Sequence, residues 1–140
     1  MSDTALVDTG FWIALFDPRD EHHESAGERE DLLELVTLIV PWPILYETLR
    51  TRFVRRPEWV LRLDQLLKKP NVEFVDDQDY REEAYSRIVG HSRRSRRGLS
   101  MVDMLCRQLI ADPNIHINYL LTTNPEDFVD VCIKYNVELL

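Results

Sequence analysis

At 140 residues the chain has the length of one domain, so residues 1–140 are read as a single unit burying about two-thirds of its unfolded surface. Its 44% hydrophobic and 30% charged content fits a globular fold and excludes disordered or collagen-like chains. A formal charge of −8 argues against a generic nucleic-acid coat.

The first element is predicted at Ala5-Leu6-Val7, three aliphatic residues without alternation that run into Asp8. Such a run suits a strand buried on both faces of a parallel sheet. Thr9-Gly10 breaks it, and Phe11 to Phe16 follows as an apolar helical turn. A carboxylate at the end of a buried strand stands where open α/β sheets bind ligands. A turn aspartate capping the next helix fits the same pattern.

Asp17-Pro18-Arg19-Asp20 is a turn, and a helix is expected from Glu21 to about Leu35. The His22-His23 pair makes a poor chelate, because adjacent helical residues diverge; His23 is expected to pair with Asp20. Val36 to Val40 is a second β-branched run. Pro43 to Val54 reads as one helix with Leu45, Leu49 and Phe53 inward, Glu47 just off that stripe, and Arg50 placed to pair with Glu47. Pro57 opens another helix with Val60, Leu61, Leu63, Leu66 and Leu67 inward.

Val72 to Val75 is a third strand. Asp79-x-x-Glu82 predicts a capping box for a helix to about Ser92, and Gly90 to Gly98 reads as a basic, mobile linker. Leu99 to Ile110 is a strongly apolar helix with Val102, Leu105, Cys106 and Leu109 inward. Asp103 borders that face, where a charge needs a partner: a cap formed with Ser100, or a metal. Tyr119 to Thr123 is a fourth strand. Asn124-Pro125 opens the last helix, with Asn124 as its cap and Asp127 reaching back, and Val137 to Leu140 is a fifth strand. Strands alternate with helices throughout, which predicts a parallel sheet of about five strands covered on both faces, a three-layer α/β/α fold.

Strand ends and helix starts gather at one edge of such a sheet, so Asp8, Glu47, Asp103 and the Asn124/Asp127 turn are expected to meet there. Several carboxylates in one place repel unless a cation neutralises them. With oxygen ligands and no thiolate or histidine cluster, the expected ion is Mg²⁺ or Mn²⁺. The basic charge is mostly arginine, and eight arginines fall in two clusters: Arg50, Arg52, Arg55 and Arg56, then Arg93, Arg94, Arg96 and Arg97. Arginine is the preferred phosphate ligand, although solvated helix faces look similar. Cys106 and Cys132 have no disulfide or zinc spacing, the first residues lack a basic region, and no apolar run reaches the length of a membrane span. A cytoplasmic location is expected.

Val7-Asp8-Thr9 with Phe11-Trp-Ile-Ala-Leu, Asp20-x-x-His23-x-x-Ala26, Leu45-Tyr-Glu47-Thr-Leu49, Leu99-Ser-Met-Val-Asp103 and Thr122-Thr-Asn-Pro-Glu-Asp-Phe128 occur in this order. Together they resemble the PIN-domain ribonucleases, most of all the short toxins of the VapC type. The resemblance implies a PIN-like fold and metal-dependent hydrolysis of RNA phosphodiester bonds. Asp8, Glu47 and Asp103 would be metal ligands, with Asp127 or Asn124 as the fourth, and Asn124 stands where other members carry Asp. Thr9 would orient a ligand or water, and Arg50, Arg93, Arg94, Arg96 and Arg97 would contact RNA. A homodimer and a cognate antitoxin are implied as partners. The alternative is a catalytically inactive PIN-like module that binds nucleic acid or protein. Asp8-Thr9-Gly10 is also the aspartic-protease triplet, but four glycines and five or more helical stretches do not make that all-β fold. A receiver-like domain needs a lysine near the site, and Lys68, Lys69 and Lys134 are poorly placed for one.

Overall fold

A computed structural model describes residues 3–94 and 98–140, without the side chains of Arg93 and Arg94. Arg96 and Arg97 therefore lie outside the described residues. Strand β1 (Thr4–Val7) leads through Asp8 into helix α1 (Thr9–Phe16), and the short helices α2 (His23–Glu28) and α3 (Leu32–Leu35) precede β2 (Thr37–Pro41). Helices α4 (Trp42–Thr48), α5 (Thr51–Val54) and α6 (Pro57–Leu67) lead to β3 (Val72–Val75), and α7 (Arg81–Arg94) and α8 (Met101–Ala111) to β4 (Tyr119–Leu121). A 3₁₀ turn (Pro125–Asp127), α9 (Val129–Lys134) and β5 (Glu138–Leu139) complete the chain.

All four strand pairings are parallel, in the order β3-β2-β1-β4-β5. Ala5 pairs with Leu38 on one side and with Tyr119 on the other. The chain winds outward from β1 to β3, then crosses back to place β4 on the opposite side of β1. Helices cover both faces, giving the expected three layers. Reversal of strand order opens a crevice at the C-terminal ends of β1 and β4, the place where such sheets bind ligands. Ala5, Leu6 and Val7 are fully buried, which is why their sequence shows no alternation. Beneath β1, the rings of Trp12, Phe16, Phe53 and Trp59 form a chain with centroid spacings of 6.5, 5.7 and 5.5 Å, tying α1 to α5 and α6. Cys106 and Cys132 are buried free thiols. Among the described residues, no helix is long and apolar enough to cross a membrane.

Several local expectations are corrected. The helix expected from Glu21 to Leu35 is two helices. Gly27 weakens the first, and Glu28, Glu30 and Asp31 put negative charge where its C-terminal dipole disfavours it. The helix from Pro43 to Val54 breaks after Thr48, whose hydroxyl donates to Ile44 O at 2.7 Å; this back-bonding bends helices. Leu49 consequently leaves the core stripe, and Leu61 points to solvent while Trp59 joins the expected Leu63 in the core.

His23 Nδ1 bonds Ala14 O at 2.8 Å instead of pairing with Asp20, whose carboxylate accepts from His22 N. Helix α7 starts at Arg81, with Asp77 O accepting from Tyr80 N and Arg81 N, so Asp79 does not form the expected capping box. It continues to Arg94, so the first half of the expected basic linker is helical, and residues 95–97 of that linker lie outside the described residues. Asn124 makes no side-chain cap, because the chain enters a 3₁₀ turn before α9.

Candidate active site at the reversal of strand order

Asp8 ends β1 in the crevice. Its N–H donates to Leu121 O at 2.9 Å, which fixes the end of β1 against β4. Its Oδ1 accepts from Thr9 N at 2.8 Å as the N-cap of α1, and its Oδ2 accepts from the Thr122 hydroxyl at 3.0 Å. The capping role open in the sequence is thus met, and it uses only one of the two oxygens. Only 4% of Asp8 is exposed. Burial pushes its carboxyl up to about 6, against the lowering effect of the bonds from Thr122 and Thr9. The charges of Asp103 and Glu47 raise it further. No cationic side chain among the described residues pairs with it.

Glu47 reaches this neighbourhood from α4, half-buried and with no ion pair to Arg50 among the described residues. Asp103 comes from the first turn of α8, where it forms a reciprocal capping box. Its N–H donates to Ser100 Oγ at 3.0 Å, and its Oδ2 accepts from Ser100 N at 3.2 Å. The Cys106 thiol, one turn further along α8, is pushed far up by complete burial and then by Asp8, Asp103 and Glu47, so all three carboxylates act on that point. Among the described residues no three acidic, histidine or cysteine side chains are already drawn into a metal cluster. The donor set nevertheless fits a hard divalent cation. It offers oxygens only, concentrates like charge around a buried carboxylate, and includes Thr9 Oγ1, which is buried without a hydrogen-bond partner among the described residues.

The 3₁₀ turn supplies the remaining expected residues. Asn124 N donates to Thr122 Oγ1 at 3.1 Å, and a Cβ added at Gly10 would collide with Thr123 Oγ1 and stand 3.9 Å from Asn124 Nδ2. Glycine at position 10 therefore lets the turn lie against α1. Asp127 is half-exposed and lines a concavity of about 360 Å³ with Arg87, His91, Arg107 and Asp130, among others. Arg50 sits on the surface beside a cleft lined by Asp17, Arg52 and Trp59.

Two residues that matter here are not among the site residues expected from the sequence. Thr122 is one, although it opens the motif that ends at Phe128. The other is Arg107, which donates to Asp127 O at 2.8 Å and to both Asp130 oxygens at 2.8 and 2.6 Å, clamping α8 to the turn and to α9. These bonds hold the Asp130 carboxyl down to about 2 and raise the Arg107 guanidinium.

The PIN domain family model matches residues 5–134. No curated protein matches the chain. By structure it is similar to VapC20 of Mycobacterium tuberculosis, a sarcin–ricin loop cleaving toxin. The TM-score is 0.69 and the identity 20%, over 90% of this chain and 94% of that one. It is also similar to VapBC2 from Rickettsia felis, solved bound to a DNA fragment from its promoter, with a TM-score of 0.62 and 17% identity over 98% of this chain and 97% of that one. At these identities the likeness is one of fold. A family match over almost the whole length, on a sheet that reverses its strand order beside Asp8, settles the membership: the chain belongs to the PIN-domain family.

Proposed function

We propose that this chain is a metal-dependent endoribonuclease, the toxin of a toxin–antitoxin pair, which hydrolyses RNA phosphodiester bonds in the cytoplasm. The observation that carries the reading is Asp8: a buried carboxylate facing two more acids at the ligand-binding edge, with no cation among the described residues to balance it. Asp8, Glu47 and Asp103 would hold Mg²⁺ or Mn²⁺. The 3₁₀ turn offers the fourth oxygen, from the Asp127 carboxylate or the Asn124 amide. When bound, such an ion supplies Lewis acidity for attack on phosphorus and for the departing oxygen. Thr122 keeps the Asp8 carboxylate turned, and Thr9 offers its hydroxyl to a ligand or water. Arg50, Arg93, Arg94, Arg96 and Arg97 offset the net negative charge by contacting phosphates.

Single-turnover cleavage of a single-stranded RNA with Mn²⁺, beside a Mn²⁺ thermal-shift titration, tests this. Wild type should cut and be stabilised by the ion, and Asp8→Asn should do neither. Stabilisation without cleavage would favour an inactive PIN-like binding module. An identical thermal response in both proteins would remove Asp8 from the site. Cleavage by Asp127→Asn and Asn124→Ala then identifies the fourth ligand.

A further inference from the structure

Arg107 stands one turn of α8 beyond Asp103, the spacing at which a helix pairs an acid with an arginine. Among the described residues its guanidinium pairs with Asp130 instead. Nη1 donates to Asp127 O and to Asp130 Oδ1, each at 2.8 Å, and Nη2 donates to Asp130 Oδ2 at 2.6 Å. The Arg107 side chain is only 21% exposed, although that of Asp130 is 67% exposed. What it grips is the main chain of the 3₁₀ turn. Asp127 N donates to Asn124 O at 3.2 Å, so Arg107 on the carbonyl pins the other side of the same residue. Phe128, the next residue, is fully buried, and its carbonyl accepts from Cys132 N in α9. The backbone that carries the Asp127 carboxylate is therefore held at its N–H, at its carbonyl and by the neighbouring ring.

We propose that Arg107 is a positioning residue for the divalent ion, fixing Asp127 as the fourth ligand while Asp130 keeps the arginine's charge off the other acids. The inference rests on the metal-dependent reading above. Helix α8 then sets two ligands at once, Asp103 directly and Asp127 through Arg107, with about 6 Å of helix rise between Asp103 and Arg107. A carboxylate fixed in this way serves a hard cation better than the neutral Asn124 amide, because affinity follows ligand charge. An arginine beside a cation site is a liability unless its charge is taken up, since a guanidinium competes with the ion for the same carboxylates. The bidentate pair with Asp130 takes it up. Without Asp130, Arg107 could turn to Asp103 one turn back and neutralise a ligand. Lysine does not replace it, because one ammonium cannot reproduce a fork that reaches a carbonyl and both carboxylate oxygens.

Mn²⁺ affinity of the full chain without RNA, read from electron paramagnetic resonance of the free ion, tests the proposal. Arg107→Gln should weaken Mn²⁺ binding at least about tenfold, as loss of an outer-shell partner does. Arg107→Lys should not restore it. In an Asp127→Asn background, Arg107→Gln should cost less than about threefold more, because both changes remove the same ligand. Asp130→Asn should also weaken binding, but not in a chain that already carries Arg107→Gln. Arg62→Gln breaks an exposed pair with Glu30, 3.0 Å long, and should leave Mn²⁺ affinity unchanged. Metal-free binding of single-stranded RNA should be the same for Arg107→Gln and wild type, which separates positioning from phosphate contact. Circular dichroism and urea unfolding establish that each variant is folded, and Arg107→Lys with Asp130→Asn carries the test if Arg107→Gln does not fold. The proposal is overturned if the folded Arg107 and Asp130 variants bind Mn²⁺ as wild type does, or if the Arg107→Gln and Asp127→Asn effects multiply. It is equally overturned if Asp130→Asn weakens binding in the Arg107→Gln background, which would make Asp130 a ligand, or if Arg107→Gln weakens metal-free RNA binding. Wild type that binds Mn²⁺ and cuts RNA while Arg107→Gln binds the ion equally well overturns this inference alone. Wild type that binds no Mn²⁺ overturns the metal-dependent reading and this one with it.

Discussion

The Thr122 hydroxyl donates to Asp8 Oδ2 at 3.0 Å while its oxygen accepts from Asn124 N at 3.1 Å. One buried side chain thereby joins the end of β1 to the 3₁₀ turn. Thr122→Val keeps the shape and removes both bonds, leaving a carboxylate and a backbone N–H underserved. It should cost about 1–3 kcal/mol by denaturant unfolding in chelator at pH 8. Thr122→Ser, which retains the hydroxyl, should stay within about 1 kcal/mol of wild type. Equal stability of the valine and serine variants would remove this bond from the account of the site.

Asp8 also predicts how the metal-free protein responds to pH. Its carboxyl is raised to about 6, chiefly by burial, so the native state holds this proton more tightly than the unfolded chain does. The stability conferred by the protonated form is present below the ordinary carboxylate range and is lost as pH rises through about 6. The loss amounts to about 3 kcal/mol. Asp130, held down by Arg107, contributes the opposite slope at lower pH and cancels in a comparison of variants. In chelator, the stability of Asp8→Asn relative to wild type should therefore rise from pH 4 to pH 7. A constant difference across that range would show that the Asp8 carboxyl is not raised.

The sequence made legible whatever depends on the strand pattern and on the position of each acid within it. The unalternated Ala5-Leu6-Val7 run predicts a strand buried on both faces, and the five strand segments expected between helices are the five parallel strands, although β3 and β5 at the edges are partly exposed. Asp8 ends a strand and Asp103 starts a helix, whereas Glu47, next to last in α4, is marked only by the motif Leu45-Tyr-Glu47-Thr-Leu49. The interactions that hold them leave no such mark. Thr122 and Asp8 are 114 residues apart, and Arg107 meets Asp130 through a turn of unpredicted type. Helix ends failed where side chains compete with the backbone, as Thr48 does at the end of α4. Leu49 and Leu61 fall on the predicted core stripes yet lie exposed, because periodicity gives a face without saying where a helix breaks or which face turns inward.

The arginines should act through charge. Replacing Arg93, Arg94, Arg96 and Arg97 with alanine should weaken binding to single-stranded RNA and flatten its salt dependence. The slope of log K against log salt should fall by about 0.7 for each phosphate no longer neutralised. Binding is measured by fluorescence anisotropy without divalent metal, which separates it from cleavage. An unchanged slope would assign these arginines to solvent or to a protein partner.

Asp103 is the sharpest case, because one carboxylate does two jobs that substitution can separate. Its Oδ2 accepts from Ser100 N in the capping box of α8, and its charge raises the Asp8 carboxyl. Asp103→Asn keeps an acceptor for Ser100 N. It gives up a favourable charge at a helix start, about 0.3–1 kcal/mol, and relieves repulsion of similar size around Asp8. Melting in chelator should therefore stay near wild type. Asp103→Ala also loses the cap and should be less stable by about a further 1 kcal/mol. Cleavage should not follow stability. Both variants remove a proposed anionic ligand, and single-turnover rates in Mn²⁺ should fall at least about 10²-fold in each. The melting temperatures would then separate the two variants while their rates coincide. An Asp103→Asn protein that cuts RNA at nearly the wild-type rate would leave Asp103 a helix cap and nothing more, whatever its melting temperature.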